Sequence, residues 1–326
     1  LNLIVWGSGT GLLYIVMLLE FRPLIANIDH LETLFDEMDR QWLAHGQTAS
    51  LKPELEKKRE MILKREIDGI IGFEEDSPVA LAWVDLPNGC YGNAVVHCTR
   101  PELEPPLIQA LHETGLLTGN VVELVQIVKG FSYRDAFIAL GYKEKERQRM
   151  TIELKDYPEP EPLEGVVCDV ITEESVPNIA QISHMAHDTR KHIEGNRDFS
   201  SIASRSNMAS KMRAGDYGAP LQSACLHLTY NGTPAAIVDV LDIEFWGESH
   251  VAWIMDVAVI PEYQGFGLAQ YMIKKSLHEA SKAGSTISAL AVTLSNKPAV
   301  RLYESLGYEC VEYFVEIIPP GVIETD

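Results

Sequence analysis

The sequence predicts an α/β protein of two tandem halves, each a mostly antiparallel mixed sheet flanked by helices. Three observations predict it. A proline- and acid-rich stretch, Lys155 to Gly165, has neither helical nor strand periodicity and divides the chain into segments of similar size. The two segments run through the same series of strand, amphipathic helix and hairpin. Both also end alike, Ala139-Leu140-Gly141-Tyr142 matching Ser305-Leu306-Gly307-Tyr308, each followed by an alternating strand.

Residues 1–20 form an apolar leader with no charge before Glu20. It lacks a basic n-region and a small-residue cleavage site, and reads as a gene-boundary leader, with a membrane anchor as the alternative. Its Gly7 to Gly11 run lacks the residues that complete a phosphate loop or a dinucleotide fingerprint. The first half, residues 21–154, opens with a strand at Phe21 to Ile25 and a helix at Ile28 to Leu43. A charged helix follows from Lys52 to Glu66, carrying i,i+4 pairs such as Glu54 with Lys58. Gly69 to Phe73 and Val79 to Val84 make its hairpin. The second half, residues 166–326, repeats the order with Val167 to Ile171, Ser175 to Ala186, and a hairpin of Ala224 to Tyr230 with Ala235 to Ile243. Asn231-Gly232 is a strong signal for that turn. Val251 to Val259 is an apolar strand, and Leu268 to Ala283 the helix after it.

The formal net charge of −20 disfavours nucleic acid and anionic membranes; it reads first as a means of solubility and second as an attraction for cationic partners. Five scattered cysteines, with no C-x-x-C pair, fit a reducing, cytoplasmic compartment and argue against a zinc site.

Between strand and helix lies Ile260-Pro261-Glu262-Tyr263-Gln264-Gly265-Phe266-Gly267-Leu268-Ala269. A glycine-rich turn opening a helix presents successive N–H groups and the positive end of the helix dipole, an arrangement suited to a diphosphate. Gln264 adds a side-chain donor. Gln264 to Ala269 resembles the Q/R-x-x-G-x-G/A coenzyme A motif of the GNAT superfamily of N-acetyltransferases. Asn296-Lys297-Pro298-Ala299-Val300-Arg301-Leu302-Tyr303-Glu304-Ser305-Leu306-Gly307-Tyr308 resembles its second motif, N-x-x-A-x-x-L-Y-x-x-x-G-F/Y. Two tandem GNAT-like domains are therefore expected.

The resemblance implies a sheet split between the strand ending near Val259 and the one beginning near Ser288, with pantetheine in the gap. It places the pyrophosphate of acetyl-CoA on Gly265, Phe266, Gly267, Leu268 and Ala269, the pantetheine amides near Ala258 and Val259, and the thioester arm by Asn296. It gives Tyr303 the role of general acid to the leaving thiolate. For the base that takes the amine proton, Asp256 is the first candidate and Glu262 the second.

In the first half Pro101-Glu102 matches Pro261-Glu262, but the loop that follows reads Leu103-Glu104-Pro105-Pro106-Leu107. Prolines supply no N–H, Glu104 repels phosphate, and Phe137 falls opposite Tyr303. This half is expected to keep the fold, bind no coenzyme, and shape the acceptor groove or dimerise. His184, His187 and His192 are read as polar or acceptor contacts, and no metal is expected. Asp239, Asp242 and Glu244 either meet a cationic amine or line the wet side of the sheet. The expected activity is acetyl transfer from acetyl-CoA to a primary amine of a small molecule or peptide. The tandem plan with a degenerate first half also resembles mycothiol synthase-like acetyltransferases. A non-catalytic acyl-CoA-binding sensor or scaffold is the alternative.

Overall fold

The computed structural model describes residues 2–4, 17–44, 50–85, 91–117, 121–125, 133–188, 201–245 and 248–320. They form two compact units, residues 1–145 with 314–326 and residues 146–313.

In the first unit β1 (Asn2–Ile4) pairs antiparallel with β2 (Met17–Pro23). Helices α1 (Leu31–Ala44) and α2 (Lys52–Leu63) lead to the hairpin of β3 (Ile67–Glu74) and β4 (Ser77–Asp85). Then come β5 (Tyr91–Cys98), α3 (Glu104–Glu113), β6 (Val121–Val125), α4 (Tyr133–Ala139) and β7 (Lys143–Glu153). The period-two alternation of β4 divides the core. Leu81 and Trp83 join Leu34, Phe35 and Met38 of α1, whereas Ala80, Ala82 and Val84 join Leu107 and Leu111 of α3.

The second unit contains β8 (Val166–Val170), α5 (Val176–Asp188), α6 (Ile202–Ala214) and the short β9 (Ala219–Pro220). The hairpin of β10 (Leu226–Tyr230) and β11 (Thr233–Phe245) follows, then β12 (Glu248–Val259), α7 (Leu268–Lys282), β13 (Ile287–Thr293), α8 (Lys297–Leu306) and β14 (Glu309–Ile318). Asn231 and Gly232 both have positive φ, as a two-residue hairpin turn requires. The unit's sheet runs β8-β10-β11-β12-β13, antiparallel except for the parallel β12–β13 pair.

Each unit is completed by strand residues from far along the chain. Val315 to Ile317 of β14 pair with Val122 to Leu124 of β6 in the first unit. Arg147 to Glu153 of β7 pair with Ile287 to Thr293 of β13 in the second. The sequence placed the division at residues 155–165, a stretch that here lies inside the second unit. The chain from Leu154 to Glu159 is bound to α7: the Ser281 hydroxyl donates to Leu154 O at 2.6 Å, His278 Nδ1 to Tyr157 O at 2.9 Å, and Lys275 pairs with Glu159. Among the described residues no helix is long and apolar enough to cross a membrane. Residues 5–16 of the leader lie outside the described residues.

Candidate active site

Strand β12 is paired on both sides only in part. Ala252, Trp253 and Ile254 pair with Ser288, Ala289 and Leu290 of β13, and the parallel ladder ends there. On its other side β12 stays with β11 to Val259, but with a bulge at Met255, since Asp239 faces Asp256 while Val240 faces Ile254. Beyond the bulge β13 is held by β7 and β12 by β11, so a wedge opens between residues 255–259 and 291–293. This is the split expected from the motifs, and Ala258 and Val259 lie along it.

At the wide end a single 3₁₀ turn, Pro261–Tyr263, leads into Gln264 to Gly267 and the start of α7. Gly265 and Gly267 have φ of +86° and +79°, and a Cβ built on either meets nothing within 4 Å. The glycines therefore serve the left-handed backbone and leave clear the space in front of it. No side chain caps α7, so the N–H groups of its first turn, Leu268 and Ala269 among them, have no partner within the helix. These features fit a diphosphate. The Gln264 side chain, expected as a ligand donor, gives one amide N–H to Val259 O at 3.0 Å and ties the loop to the strand end. Phe266 is exposed, its ring 5.8 Å from that of Tyr230, which also meets Tyr263 at 6.0 Å.

Asn296 is the N-cap of α8, its Oδ1 accepting from Ala299 N at 3.4 Å. One face of α8 presents Tyr303, half-buried, with its ring 5.8 Å from Tyr308 and edge-on to it. Tyr308 is held in turn. The Ser288 hydroxyl donates to Ala252 O at 2.8 Å, so at 2.8 Å from Tyr308 it accepts the phenol proton. Burial drives the Tyr308 phenol far above its ordinary range, which makes it a fixed support for Tyr303.

Asp256 and Asp239 stand side by side on β12 and β11, both buried. Asp256 Oδ1 lies 3.0 Å from His187 Nε2, and its Oδ2 accepts from the Ser183 hydroxyl at 2.8 Å. Arg205 of α6 donates to that hydroxyl at 2.5 Å. Asp239 pairs with Arg213, also of α6. Burial raises both carboxyls, with opposite outcomes. For Asp256 the charge and hydrogen bond of His187, then Arg205 and Ser183, outweigh it and hold the group below the usual Asp value. For Asp239 burial prevails over Arg213, and the group is pushed up to about 6. Asp239 is thus neither an amine contact nor on a wet face. Asp242 meets His250 at 3.1 Å and Glu244 is exposed. Glu262 is exposed on the turn after β12. His192 lies outside the described residues. Among the described residues no group of three or more His, Cys, Asp or Glu is placed to hold a metal.

The first unit lacks the loop. Its 3₁₀ turn Pro101–Leu103 runs directly into α3 at Glu104, with no counterpart of residues 264–267. Glu104 to Leu107, read from the sequence as a loop, is the first turn of a helix, where proline is tolerated because those N–H groups have no partner in any case. Phe137, opposite Tyr303, is buried on α4.

Comparison with known proteins agrees with this geometry. Residues 196–308 match the acetyltransferase (GNAT) family. An uncharacterized N-acetyltransferase of Methanocaldococcus jannaschii is 35% identical over 81 residues, 24% of this chain and 36% of that protein. A mycothiol acetyltransferase of Thermomonospora curvata is 37% identical over 76 residues, 22% of this chain and 25% of that one. The [ribosomal protein bS18]-alanine N-acetyltransferase of Escherichia coli K12 is 37% identical over 83 residues, 25% of this chain and 51% of the relative. The chain thus spans about half or less of the length of these relatives. In fold it resembles a GCN5-related N-acetyltransferase from Sphaerobacter thermophilus, with a TM-score of 0.59 at 18% identity over 92% of this chain and 94% of that one. It also resembles a tandem GNAT protein from the clavulanic acid biosynthesis pathway, with a TM-score of 0.54 at 14% identity over 92% and 97%. Residues 196–308 thus match the acetyltransferase (GNAT) family, in a chain whose fold resembles that of a tandem GNAT protein.

Proposed function

We propose that the second unit moves an acetyl group from acetyl-CoA to a primary amine of a small molecule or peptide. One juxtaposition carries this reading: the wedge beside residues 255–259 opens onto the uncapped start of α7, whose glycine turn keeps clear space before its amides. Main-chain groups of Ala258 and Val259 would bind the pantetheine amides, and Gly265 to Ala269 the diphosphate. Acetyl-CoA supplies an activated acyl group. Tyr303, braced by Tyr308, protonates the departing sulfur, and Asn296 fixes the start of the helix that carries Tyr303. Relatives named for N-acetylation support an amine acceptor, and the net charge of −20 favours a cationic one.

The test is titration calorimetry with coenzyme A, together with thiol release from acetyl-CoA in the presence of primary amines. Saturable binding and amine-dependent release are expected. Absence of binding would refute the site, and binding without release from any amine would leave an acyl-CoA sensor or scaffold in place of an enzyme.

A further inference from the structure

Where two strands part, the main-chain groups along each wall of the gap must find other partners. On β13 alternate residues serve alternate neighbours. Leu154 N donates to Thr286 O at 2.8 Å and Leu294 N to Glu146 O at 2.9 Å, so the even-numbered residues between them bond to β7. Ala289 and Ala291 therefore turn their main-chain groups toward β12. In the parallel register Ala291 N–H is the last donor of that ladder, reaching Ile254 O, and the next bond would run from the N–H of residue 256 to Ala291 O. The Met255 bulge removes that bond. Past it Ile260 N donates to Ala235 O at 2.9 Å, and with alternate residues bonded the Asp256 N–H also faces β11. Ala291 O is thus the first carbonyl that the split deprives of a strand donor.

A side chain takes the place of that donor. Arg147 of β7 donates from Nη2 to Ala291 O at 2.9 Å. Arg147 lies opposite Thr293, so its partly buried side chain reaches diagonally over β13 to the carbonyl at the apex of the wedge. Arg149, directly opposite Ala291, is engaged instead by Glu312 of β14. The far end of the wedge is finished in the same manner, by the Gln264 amide on Val259 O. We propose that Arg147 is a positioning residue of the coenzyme wedge, which satisfies the apical carbonyl so that pantetheine can enter without leaving it unpaired. This rests on the placement of the coenzyme in the acetyl-transfer reading above.

Such a role differs from bracing the fold. Ala291 and Thr293 are only half-buried, so without the guanidinium, and with no coenzyme bound, water can reach Ala291 O and folding loses little. Once pantetheine fills the wedge that water is expelled, and a carbonyl without a donor is left buried beside the ligand. The penalty therefore falls on binding. A guanidinium suits the task, since its bond to a carbonyl is charge-assisted and its planar fork is preorganised. Arg147 also lies outside residues 196–308, so the wedge draws one of its supports from the strand that precedes the proline-rich stretch.

The experiment uses the full chain, with coenzyme A as titrant in calorimetry and thermal unfolding in its absence. Arg147→Met keeps an unbranched apolar stem and removes the donors. It should raise the Kd for coenzyme A roughly 5- to 150-fold, the loss expected of an unsatisfied buried carbonyl, while Tm falls by no more than a few °C. Arg147→Lys returns a donor and should restore most of that affinity. Arg149→Met, which breaks the pair with Glu312 on the same strand, should leave the Kd within about twofold of wild type. An Arg147→Met protein that binds within about twofold of wild type overturns the assignment while the acetyl-transfer reading stands. So does an affinity lost equally in Arg149→Met, or one that lysine does not restore. An Arg147→Met chain that fails to fold marks Arg147 as a brace of the fold and overturns the assignment as well. A wild type without affinity for coenzyme A overturns the reading of the site itself.

Discussion

Gly267 permits a test in which folding and binding can be separated. Its φ of +79° is left-handed, and a Cβ there would meet no protein atom within 4 Å. Gly267→Ala therefore creates no clash. The strain of an L-residue in this region costs about 1–2 kcal/mol, partly offset by the roughly 0.4–1 kcal/mol gained from a stiffer unfolded chain. About 1 kcal/mol of net destabilisation remains, a shift of a few °C in Tm. Gly232, in the β10–β11 turn, has φ of +80° and the same open surroundings, so Gly232→Ala should cost as much. Only at Gly267 does the new methyl group enter the space before the α7 amides. Losing one charge-assisted hydrogen bond there is worth about 1.5–3 kcal/mol, which raises the Kd for coenzyme A roughly 10- to 150-fold. Calorimetry with coenzyme A and thermal unfolding of both variants check this. Equal losses of affinity in the two variants, or a Gly267→Ala protein within twofold of wild type, would refute the placement of the diphosphate.

Tyr303→Phe should reduce kcat by about two orders of magnitude with coenzyme A affinity unchanged, and undiminished turnover excludes its role as acid. Calorimetry should find one coenzyme A per chain, because in the first unit α3 follows its 3₁₀ turn without an intervening loop; a stoichiometry of two would contradict this. Arg213→Met should cost about 3–5 kcal/mol near pH 8 in denaturant unfolding, since it leaves Asp239 buried and ionised. The Asp239 carboxyl, already raised to about 6 from an ordinary 3.8, favours the fold below that ordinary value, and its contribution is lost as pH rises through 6. The deficit of Arg213→Met should therefore shrink at pH 5, where Asp239 takes up a proton, and a deficit equal at both pH values would count against the pairing.

Much of the candidate site was legible because short-range chemistry specifies it. Pairs such as Asn231-Gly232 and Gly265 with Gly267 demand particular backbone conformations, and β12 announces itself as an apolar run between turn signals. What escaped was α6. Its inner face includes Arg205 beside Met208, Ala209 and Met212, so the helical stripe is interrupted by a charge that periodicity assigns to solvent. Only the fold supplies the reason, because the partners Ser183 and Asp239 lie far away in sequence. The same difficulty attended Asp239 and Asp256, whose burial with opposite pKa shifts follows from facing each other across two strands. Prolines at 158, 160 and 162 correctly signalled a stretch outside helix and strand. Composition did not reveal that residues 147–153, just before it, belong with β13.

The placement of β14 has a consequence for synthesis. As the chain leaves the ribosome, every strand of residues 146–313 emerges before residues 315–317, which complete the edge at β6. The part made first must wait with that edge open, while the part carrying the acetyltransferase signature can assemble ahead of it. Maturation then proceeds against the direction of translation, and a stalled or shortened product would strand the amino-terminal unit rather than the one that carries this signature.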